Sequence, residues 1–145
     1  MAKRMIPMTN IYPGQYRISR IQLINWGTFH GYFSIPVARK GFLITGGSGS
    51  GKSTLLDAMS AVLVPQKDLK FNAASQQDLG RHDGRNLVSY VRGAWRQQEN
   101  TQTGEIAPEY LRTGATNSIV ALTYDNGAGK QHTLIAIFRL NGGEN

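Results

Sequence analysis

The sequence predicts an α/β fold with a mixed sheet, one principal helix and antiparallel hairpins on either side of them. Stretches in which apolar and polar residues alternate, typical of strands, lie before residue 38 and again after residue 117. Between them, an apolar run at residues 42–44 leads through a glycine-rich segment into a pattern typical of an amphipathic helix. The 145 residues suffice for one domain of this kind.

Composition limits the classes of protein to which the chain can belong. A hydrophobic content of 40% supports a buried core rather than a disordered tail. The absence of cysteine excludes a disulfide scaffold and any cysteine-ligated zinc site. No apolar run reaches the roughly 18 residues of a membrane-spanning helix, and the first residues lack the apolar stretch of a secretory signal. The net charge of +7 is compatible with nucleic-acid binding and equally with an ordinary basic surface.

The two strands predicted before the glycine-rich segment form a hairpin. Residues 16–24 read as a strand, but their alternation slips between Ile18 and Ile21, which indicates a bulge or a change of face. A turn at residues 25–27 leads into a second strand at residues 29–37. The two strands are therefore expected to be antiparallel neighbours in a sheet.

A buried strand and a helix flank the glycine-rich segment. The continuous apolar run at residues 42–44 predicts a strand that is buried on both faces. After the segment, apolar residues recur at helical spacing until Pro65 ends the pattern. The residues predicted to share the apolar face of this helix are Leu55, Leu56, Met59, Val62 and Leu63.

Beyond this helix, the sequence predicts a less regular region followed by a second hairpin. The less regular region contains a polar segment at 66–86, a short helix at 87–95 and a surface insertion at 97–117. The second hairpin has strands at 118–124 and 133–140, joined by a loop at 125–129.

The glycine-rich segment matches the phosphate-binding P-loop pattern, Gly46-x-x-x-x-Gly51-Lys52-Ser53, in full. Its glycines let successive backbone N–H groups face a phosphate chain, and the following helix presents its free N–H groups and positive dipole end to the same anion. Lys52 is placed to reach the β and γ phosphates, Ser53 offers a hydroxyl to Mg²⁺, and Thr54 is a further contact for the α phosphate. The predicted nucleotide-binding residues are Gly46, Gly47, Ser48, Gly49, Ser50, Gly51, Lys52, Ser53 and Thr54.

The stretches around the P-loop carry a more specific resemblance. They are residues 17–29, which contain Asn-Trp-Gly-Thr-Phe, the P-loop with residues 53–59, and residues 87–93. Together they resemble the N-terminal half of an ATPase head from the SMC-like superfamily, which also includes the RecF- and SbcC-type repair ATPases. The likeness is greatest to the MukB-like subgroup and, within it, to the SMC subunit of Wadjet-type anti-plasmid systems. It covers roughly residues 16–140.

This resemblance implies a P-loop NTPase fold of the ABC type. Residues 1–15, with Pro7, Pro13 and Gly14 as breakers, are predicted as an irregular lead-in. The resemblance makes residues 16–145 the N-terminal lobe of the head, with an antiparallel β-subdomain. In such proteins a long coiled coil follows, and a C-terminal half supplies the signature motif and the Walker B acidic pair. Two heads sandwich two ATP molecules with Mg²⁺, and ATP binding and hydrolysis drive the extrusion or entrapment of DNA.

The resemblance also implies partners and a location. The partners are the C-terminal half of the same head, a second SMC-like subunit in a head-to-head dimer, kleisin-type accessory subunits and double-stranded DNA. No membrane partner is expected, and the implied location is the cytoplasm, close to the nucleoid. A half-head exposes surface that its other half would cover, so we expect marginal stability or self-association.

The chain departs from the family pattern in what it lacks. No apolar run ends in the acidic pair of Walker B, and there is neither a signature motif nor a heptad region. We therefore expect an N-terminal fragment of a longer coiled-coil protein, and negligible ATP hydrolysis by this chain alone, since no carboxylate would orient the attacking water. Two other interpretations stay open: a self-contained small P-loop phosphotransferase, and a nucleotide-sensing module that reports to a partner.

Residues outside the P-loop are weaker candidates for the nucleotide site. Asn25 and Trp26 are candidates to line the ribose or the base, and a turn with a packed Trp explains them equally well. Arg81 and Arg85 are candidates to approach the bound nucleotide, although we favour a solvated loop for both. Asp57 lies one helical turn beyond Ser53, and we interpret it as an ordinary acid on the helix surface rather than an indirect partner of Mg²⁺.

Tyr90, Arg92, Trp95 and Arg96 interleave aromatic and basic residues. This pattern suits a surface that binds DNA. It also suits core aromatic residues flanked by arginines that extend to solvent, which is the more common arrangement. The 3 histidines are far apart and lack ligand spacing, so no metal site beyond that of Mg²⁺ is predicted.

Overall fold

The computed structural model describes residues 14–71, 86–99, 104 and 106–142, so most of the predicted lead-in and of the polar segment at 66–86 lies outside the described residues. The described elements follow one another as two strands, a helix, a short 3₁₀ helix, a second helix and four strands. In chain order they are β1 (Arg17–Trp26), β2 (Phe29–Pro36), α1 (Lys52–Leu63), the 3₁₀ helix (Gln66–Asp68), α2 (Leu87–Arg92), β3 (Ala94–Glu99), β4 (Ile106–Tyr110), β5 (Thr116–Asp125) and β6 (Gln131–Leu140).

Four of the strands form an antiparallel sheet in the order β2-β1-β5-β6, while β3 pairs with β4 in a separate two-stranded sheet. Both predicted hairpins are confirmed, because β1 pairs with β2 and β5 pairs with β6. Of the two alternatives for β1, the structure shows the bulge, since the pairing with β5 shifts register between Ile18 and Arg20. The hydroxyl of Ser19, the residue at this bulge, donates to the Thr123 carbonyl at 3.2 Å.

The core lies between one face of the four-stranded sheet and the two helices. Ile21 of β1 lies opposite Leu122 of β5, and both are almost fully buried. Trp26 stacks on Tyr90 of α2, with ring centroids 4.9 Å apart and planes 6° from parallel. Each large apolar side chain buried in this way stabilises the fold by about 1.5–3 kcal/mol. The buried cluster comprises Ile21, Leu23, Trp26, Leu55, Ala58, Phe71, Tyr90, Val120 and Leu122.

Helix α1 is confirmed, but its buried face differs from the predicted one. Leu56 and Leu63, predicted to face the core, are exposed. Asp57, predicted to lie on the helix surface, is only 6% exposed. The interpretation of Asp57 as a surface acid is therefore wrong. The Tyr90 hydroxyl donates a hydrogen bond to the Asp57 carboxylate, which makes the burial of this acid tolerable.

The strand predicted at residues 42–44, and the mixed sheet around it, are not found in the part of the chain that the structure describes. Residues 41–47 form no strand, and Leu43 is 83% exposed. The larger sheet is wholly antiparallel and includes no pairing with this segment. A strand needs a neighbour that takes up its backbone N–H and C=O groups. The apolar pattern therefore predicted a strand whose pairing partner is not among the described residues.

The region after α1 is more regular than predicted. Helix α2 ends at Arg92 instead of continuing to residue 95, because Gly93 adopts a left-handed φ of 70° and its N–H closes the last turn onto Ser89. Strands β3 and β4 then form an antiparallel pair, in a stretch predicted mainly as a surface insertion. The sequence of β3, Ala-Trp-Arg-Gln-Gln-Glu, is too polar to show the apolar alternation on which strand prediction depends.

Candidate nucleotide-binding site

The P-loop forms one wall of a cavity of about 380 Å³. This volume lies within the range of roughly 300–1,000 Å³ that is typical of small-molecule sites. Residues 48–54 contribute the P-loop wall. The turn after β1, helix α2 and the first residues of β3 contribute the rest, namely Gly27, Thr28, Ser89, Tyr90, Ala94 and Trp95.

The ammonium group of Lys52 is held over the P-loop by backbone carbonyls. Its Nζ donates to the Gly46 carbonyl at 2.7 Å, to the Gly47 carbonyl at 2.5 Å and to the Ser50 hydroxyl at 3.2 Å. A phosphate oxygen is a stronger, charge-assisted acceptor than a carbonyl. A polyphosphate entering the loop would therefore compete for the donors of Lys52, which supports the predicted role of this residue.

The N-terminal end of α1 opens onto the cavity. Gly51 caps the helix with a φ of 87°, a conformation that a residue with a side chain rarely adopts. Among the described residues, no side chain caps this end, and the first turn carries no acid. The unpaired N–H groups and the positive end of the helix dipole are therefore left for an anion.

Ser53 and Thr54 lie in the first turn of α1 and line the cavity. The Ser53 hydroxyl is an oxygen ligand of the kind that Mg²⁺ prefers, and phosphate oxygens and water complete many such sites. The residues present therefore fit a nucleotide-bound Mg²⁺ held through Ser53. Thr54 has a second role, because its carbonyl accepts a 3.0 Å hydrogen bond from Trp26 Nε1 and ties α1 to β1.

The Asn-Trp-Gly-Thr-Phe stretch packs the first hairpin against both helices. The Gly27 N–H donates to the Tyr90 carbonyl at 2.8 Å. A β-carbon at Gly27 would lie 2.5 Å from Thr54 Cγ2 and 3.2 Å from the Tyr90 ring, and the φ of this residue is +55°. Only glycine fits this close approach without displacing the wall of the cavity. The stretch that carries the family resemblance is thus a packing motif for the P-loop helix.

Asn25 and Trp26 hold the structure together and are not among the residues that line the cavity. The side-chain oxygen of Asn25 accepts a 2.9 Å hydrogen bond from the Gly31 N–H. The backbone carbonyl of Asn25 accepts a hydrogen bond from the Ser118 hydroxyl. Its φ of 53° suits an Asn in a tight turn. Trp26 is fully buried. The structure therefore supports the packed-turn interpretation of both residues.

Arg112 fixes the turn after β1 to the end of α2. Its Nη2 donates to the Gly27 carbonyl at 2.8 Å and to the Tyr90 carbonyl at 3.1 Å, while its Nε donates to the Val91 carbonyl at 2.8 Å. Burial lowers the pKa of the Arg112 guanidinium below its ordinary value. Three carbonyls offset part of the cost of burying this charge. Nothing in the sequence around Arg112 indicates this role, because its partners are distant along the chain.

The four residues considered as a DNA-binding surface differ in their exposure to solvent. Tyr90 and Arg92 are buried, whereas Trp95 and Arg96 are exposed. The interpretation as core aromatic residues is correct for Tyr90. It is wrong for Trp95, which lines the cavity instead.

The structure thus brings most of the predicted site residues together at the cavity, and it shows further residues in the cavity wall. Residues 48–54 meet at the cavity, with Gly46 and Gly47 bound to Lys52. Arg81 and Arg85 lie outside the described residues. Sequence reasoning missed the second wall of the cavity. Thr28 and Ser89 lie in stretches that were singled out for the resemblance, and Trp95 lies in the pattern of aromatic and basic residues, but none of these signals indicated a cavity wall. The additional residues are Gly27, Thr28, Ser89, Tyr90, Ala94 and Trp95.

Comparison with known families identifies the type of this P-loop. A protein-family model described as the P-loop containing region of an AAA domain matches residues 18–78, less than half of the chain. The matched stretch contains the first hairpin apart from Arg17, the P-loop and all of α1. The chain contains an ATPase-type P-loop region.

A curated relative agrees with this assignment. A stretch of 59 residues of the chain is 39% identical to part of the glutathione/L-cysteine transport system ATP-binding/permease protein CydD of Escherichia coli (strain K12). This match covers 41% of the chain and 10% of CydD, so the chain spans about a tenth of that relative's length. Domains with a P-loop of this type generally bind ATP together with Mg²⁺. None of the described helices combines the length and the apolar character needed to cross a bilayer.

Proposed function

We propose that this chain is the ATP-binding half of an SMC-like ATPase head, whose complete form uses ATP binding and hydrolysis to engage, extrude or entrap DNA. The P-loop cavity with its free helix N-terminus is the observation that carries the ATP-binding part. The resemblance of residues 17–29, 53–59 and 87–93 to SMC-like heads supports the finer assignment.

The exposed segment before the P-loop supports the idea of a half-head. Residues 42–44 are all apolar, yet Leu43 is 83% exposed and the segment forms no strand. Such a run is typical of a strand that neighbours cover on both faces. In the proposal, strands from the C-terminal half of the head pair with this segment. The second SMC-like subunit, the kleisin-type subunits and double-stranded DNA are the further partners that we propose.

Within this proposal, each group at the P-loop has a distinct part in holding ATP. The backbone N–H groups of the loop and of the first turn of α1 bind phosphate oxygens, and Lys52 exchanges its carbonyl partners for the β and γ phosphates. The Ser53 hydroxyl holds Mg²⁺, which neutralises phosphate charge when it is bound. The chain has no acidic pair after an apolar run, so its own residues bind and orient ATP without activating water.

Replacement of Lys52 tests the ATP-binding part of the proposal. We expect Lys52→Ala to weaken ATP binding by at least about tenfold, because it removes the side-chain cation that, in the described part of the chain, contacts the loop carbonyls. Titration calorimetry with Mg·ATP measures the change. Lys130→Ala is the matched control, since Lys130 is exposed in the second hairpin and is expected to leave binding unchanged. Equal affinity of the wild type and Lys52→Ala would contradict the proposal.

A second candidate is the ATP-binding domain of a transporter, which the match to CydD favours. The reading frame beyond residue 145 distinguishes the two, because heptad repeats would support the SMC-like head and apolar membrane spans the transporter. A DNA titration adds an independent test. Duplex affinity that falls as salt rises would support a DNA-handling head, whereas a flat response would argue against phosphate contacts. A reading frame that ends near residue 145 would instead favour the small phosphotransferase or the nucleotide-sensing module.

A further inference from the structure

We propose that Trp95 is the platform on which the base of a bound purine nucleotide stacks. This inference rests on the proposed ATP-binding function and adds a specificity residue to it. The cavity that contains the P-loop also contains Trp95, at the start of β3. Because the P-loop fixes the phosphates along one wall, the base of the same nucleotide has to lie against another part of the cavity.

The exposure of Trp95 distinguishes it from the other aromatic residues near the site. Trp95 is 52% exposed, whereas Trp26 is fully buried and donates its N–H to the Thr54 carbonyl. Tyr90 also lines the cavity, but its ring is buried and stacked on Trp26. Among the described residues of the cavity wall, Trp95 is therefore the aromatic side chain with a large face available to a ligand. A stacked base would remove much of that apolar surface from water.

The backbone at Trp95 is shaped to present this side chain. The pairing of β3 with β4 shifts register between Ala94 and Arg96, so Trp95 lies at a β-bulge. Bulges occur frequently beside binding sites, where they redirect one side chain out of the regular strand pattern. In a regular strand without a bulge, by contrast, successive side chains would alternate between the two faces of the small sheet.

A hydrogen bond and close packing at Gly93 hold the backbone next to Trp95 in place. Gly93, two residues before Trp95, accepts a 3.1 Å hydrogen bond from the Leu111 N–H. A β-carbon at Gly93 would lie 2.6 Å from Arg112 Nη2, so the chain passes against this buried guanidinium. A side chain on an anchored backbone loses less conformational freedom when it binds a ligand than one on a loose loop. The position of Trp95 is thus suited to binding.

Stacking on an indole selects by ring size. A purine covers more of the indole face than a pyrimidine, so ATP and GTP should bind more tightly than CTP. Base–aromatic stacking tolerates differences in the base edge, because every base has a π-face. The proposal therefore assigns Trp95 a preference for purine nucleotides and no discrimination between adenine and guanine.

The test compares a nucleotide with its phosphate chain alone. Wild type, Trp95→Ala and Trp95→Phe are titrated with Mg·ATP, Mg·CTP and inorganic tripolyphosphate. We expect Trp95→Ala to bind ATP about tenfold more weakly, to bind CTP with a smaller loss and to bind tripolyphosphate as the wild type does. Trp95→Phe keeps a ring and should recover most of the ATP affinity. Tyr32→Ala, which removes an exposed aromatic residue on β2, is the matched control.

The possible results separate this inference from the function on which it rests. If the wild type binds neither ATP nor tripolyphosphate, the proposed function fails. If the wild type binds ATP and Trp95→Ala binds it equally well, the function stands and the stacking role is overturned. An equal loss of ATP and tripolyphosphate affinity in Trp95→Ala would assign Trp95 a structural role, which also overturns it. Quenching of tryptophan emission by ATP in the wild type, but not in Trp95→Phe, would support direct stacking.

Discussion

At the scale of single residues, Gly27 is the point where the first hairpin, α1 and α2 meet. Its N–H donates a hydrogen bond to the Tyr90 carbonyl at 2.8 Å. Its carbonyl accepts one from the Arg112 guanidinium, also at 2.8 Å. The space beside its α-carbon is filled by Thr54 of the P-loop helix. A change at Gly27 therefore acts on the fold and on the cavity wall together.

We expect Gly27→Ala to destabilise the protein by about 2–4 kcal/mol, because the new methyl group meets Thr54 and the backbone has a positive φ. Gly31→Ala is the matched control, since Gly31 also has a positive φ but nothing lies within 4 Å of its β-carbon position. The control is expected to lose only about 1–2 kcal/mol. Urea unfolding measures both. Equal losses in the two variants would show that the contact with Thr54 is unimportant.

At the scale of elements, helices α1 and α2 are joined by a buried polar contact. The Tyr90 hydroxyl of α2 donates to the Asp57 carboxylate of α1, and both residues are almost fully buried. The stacking of Tyr90 on Trp26 extends the connection to β1. Because α1 carries the P-loop lysine and serine, this contact also helps to fix the orientation of the helix that begins at the cavity.

Removal of the Tyr90 hydroxyl tests this connection. We expect Tyr90→Phe to lower the free energy of unfolding by about 1–3 kcal/mol, since it leaves a buried carboxylate with one donor fewer. Tyr32→Phe removes a hydroxyl that accepts an exposed hydrogen bond from Gln22, and a change within about 0.5 kcal/mol is expected there. Thermal or chemical unfolding of both variants provides the comparison. A loss in Tyr90→Phe no larger than in Tyr32→Phe would contradict the argument.

At the scale of the whole molecule, exposed apolar surface accompanies the net charge of +7. Among the described residues, Leu43 before the P-loop is the most exposed large apolar side chain, and Ile135 and Ile137 on edge strand β6 are also exposed. Exposed apolar surface of this kind often marks an interaction site. The proposal that residues 42–44 meet strands of a C-terminal half-head therefore predicts that the chain alone associates through this segment.

We expect the chain to form oligomers as its concentration rises, and Leu43→Ser to raise the dissociation constant by about tenfold or more, because a buried Leu contributes about 1.5–3 kcal/mol. Sedimentation velocity at several concentrations measures the effect. Leu56→Ser, on the exposed side of α1, is the control and is expected to change association little. A wild type that stays monomeric throughout would contradict the expectation.

Much of the site could be predicted because its signals are local. The P-loop pattern, the glycine that caps α1 and the bulge in β1 each depend on residues within a few positions of one another. The limits of the first hairpin were also predicted within two residues at each end. Backbone torsions and side-chain periodicity are properties of short stretches, so a single sequence reports them directly.

The sequence by itself determined that this protein has a P-loop, a helix behind it and a hairpin on either side. Only the tertiary structure decided that Asp57 is buried, that Trp95 faces the P-loop cavity and that Arg112 fixes the cavity wall. It also decided that residues 42–44 remain unpaired among the described residues. Each of these outcomes depends on a partner far along the chain, such as Tyr90 for Asp57. Burial and strand pairing are set by such distant partners, and no local pattern contains them.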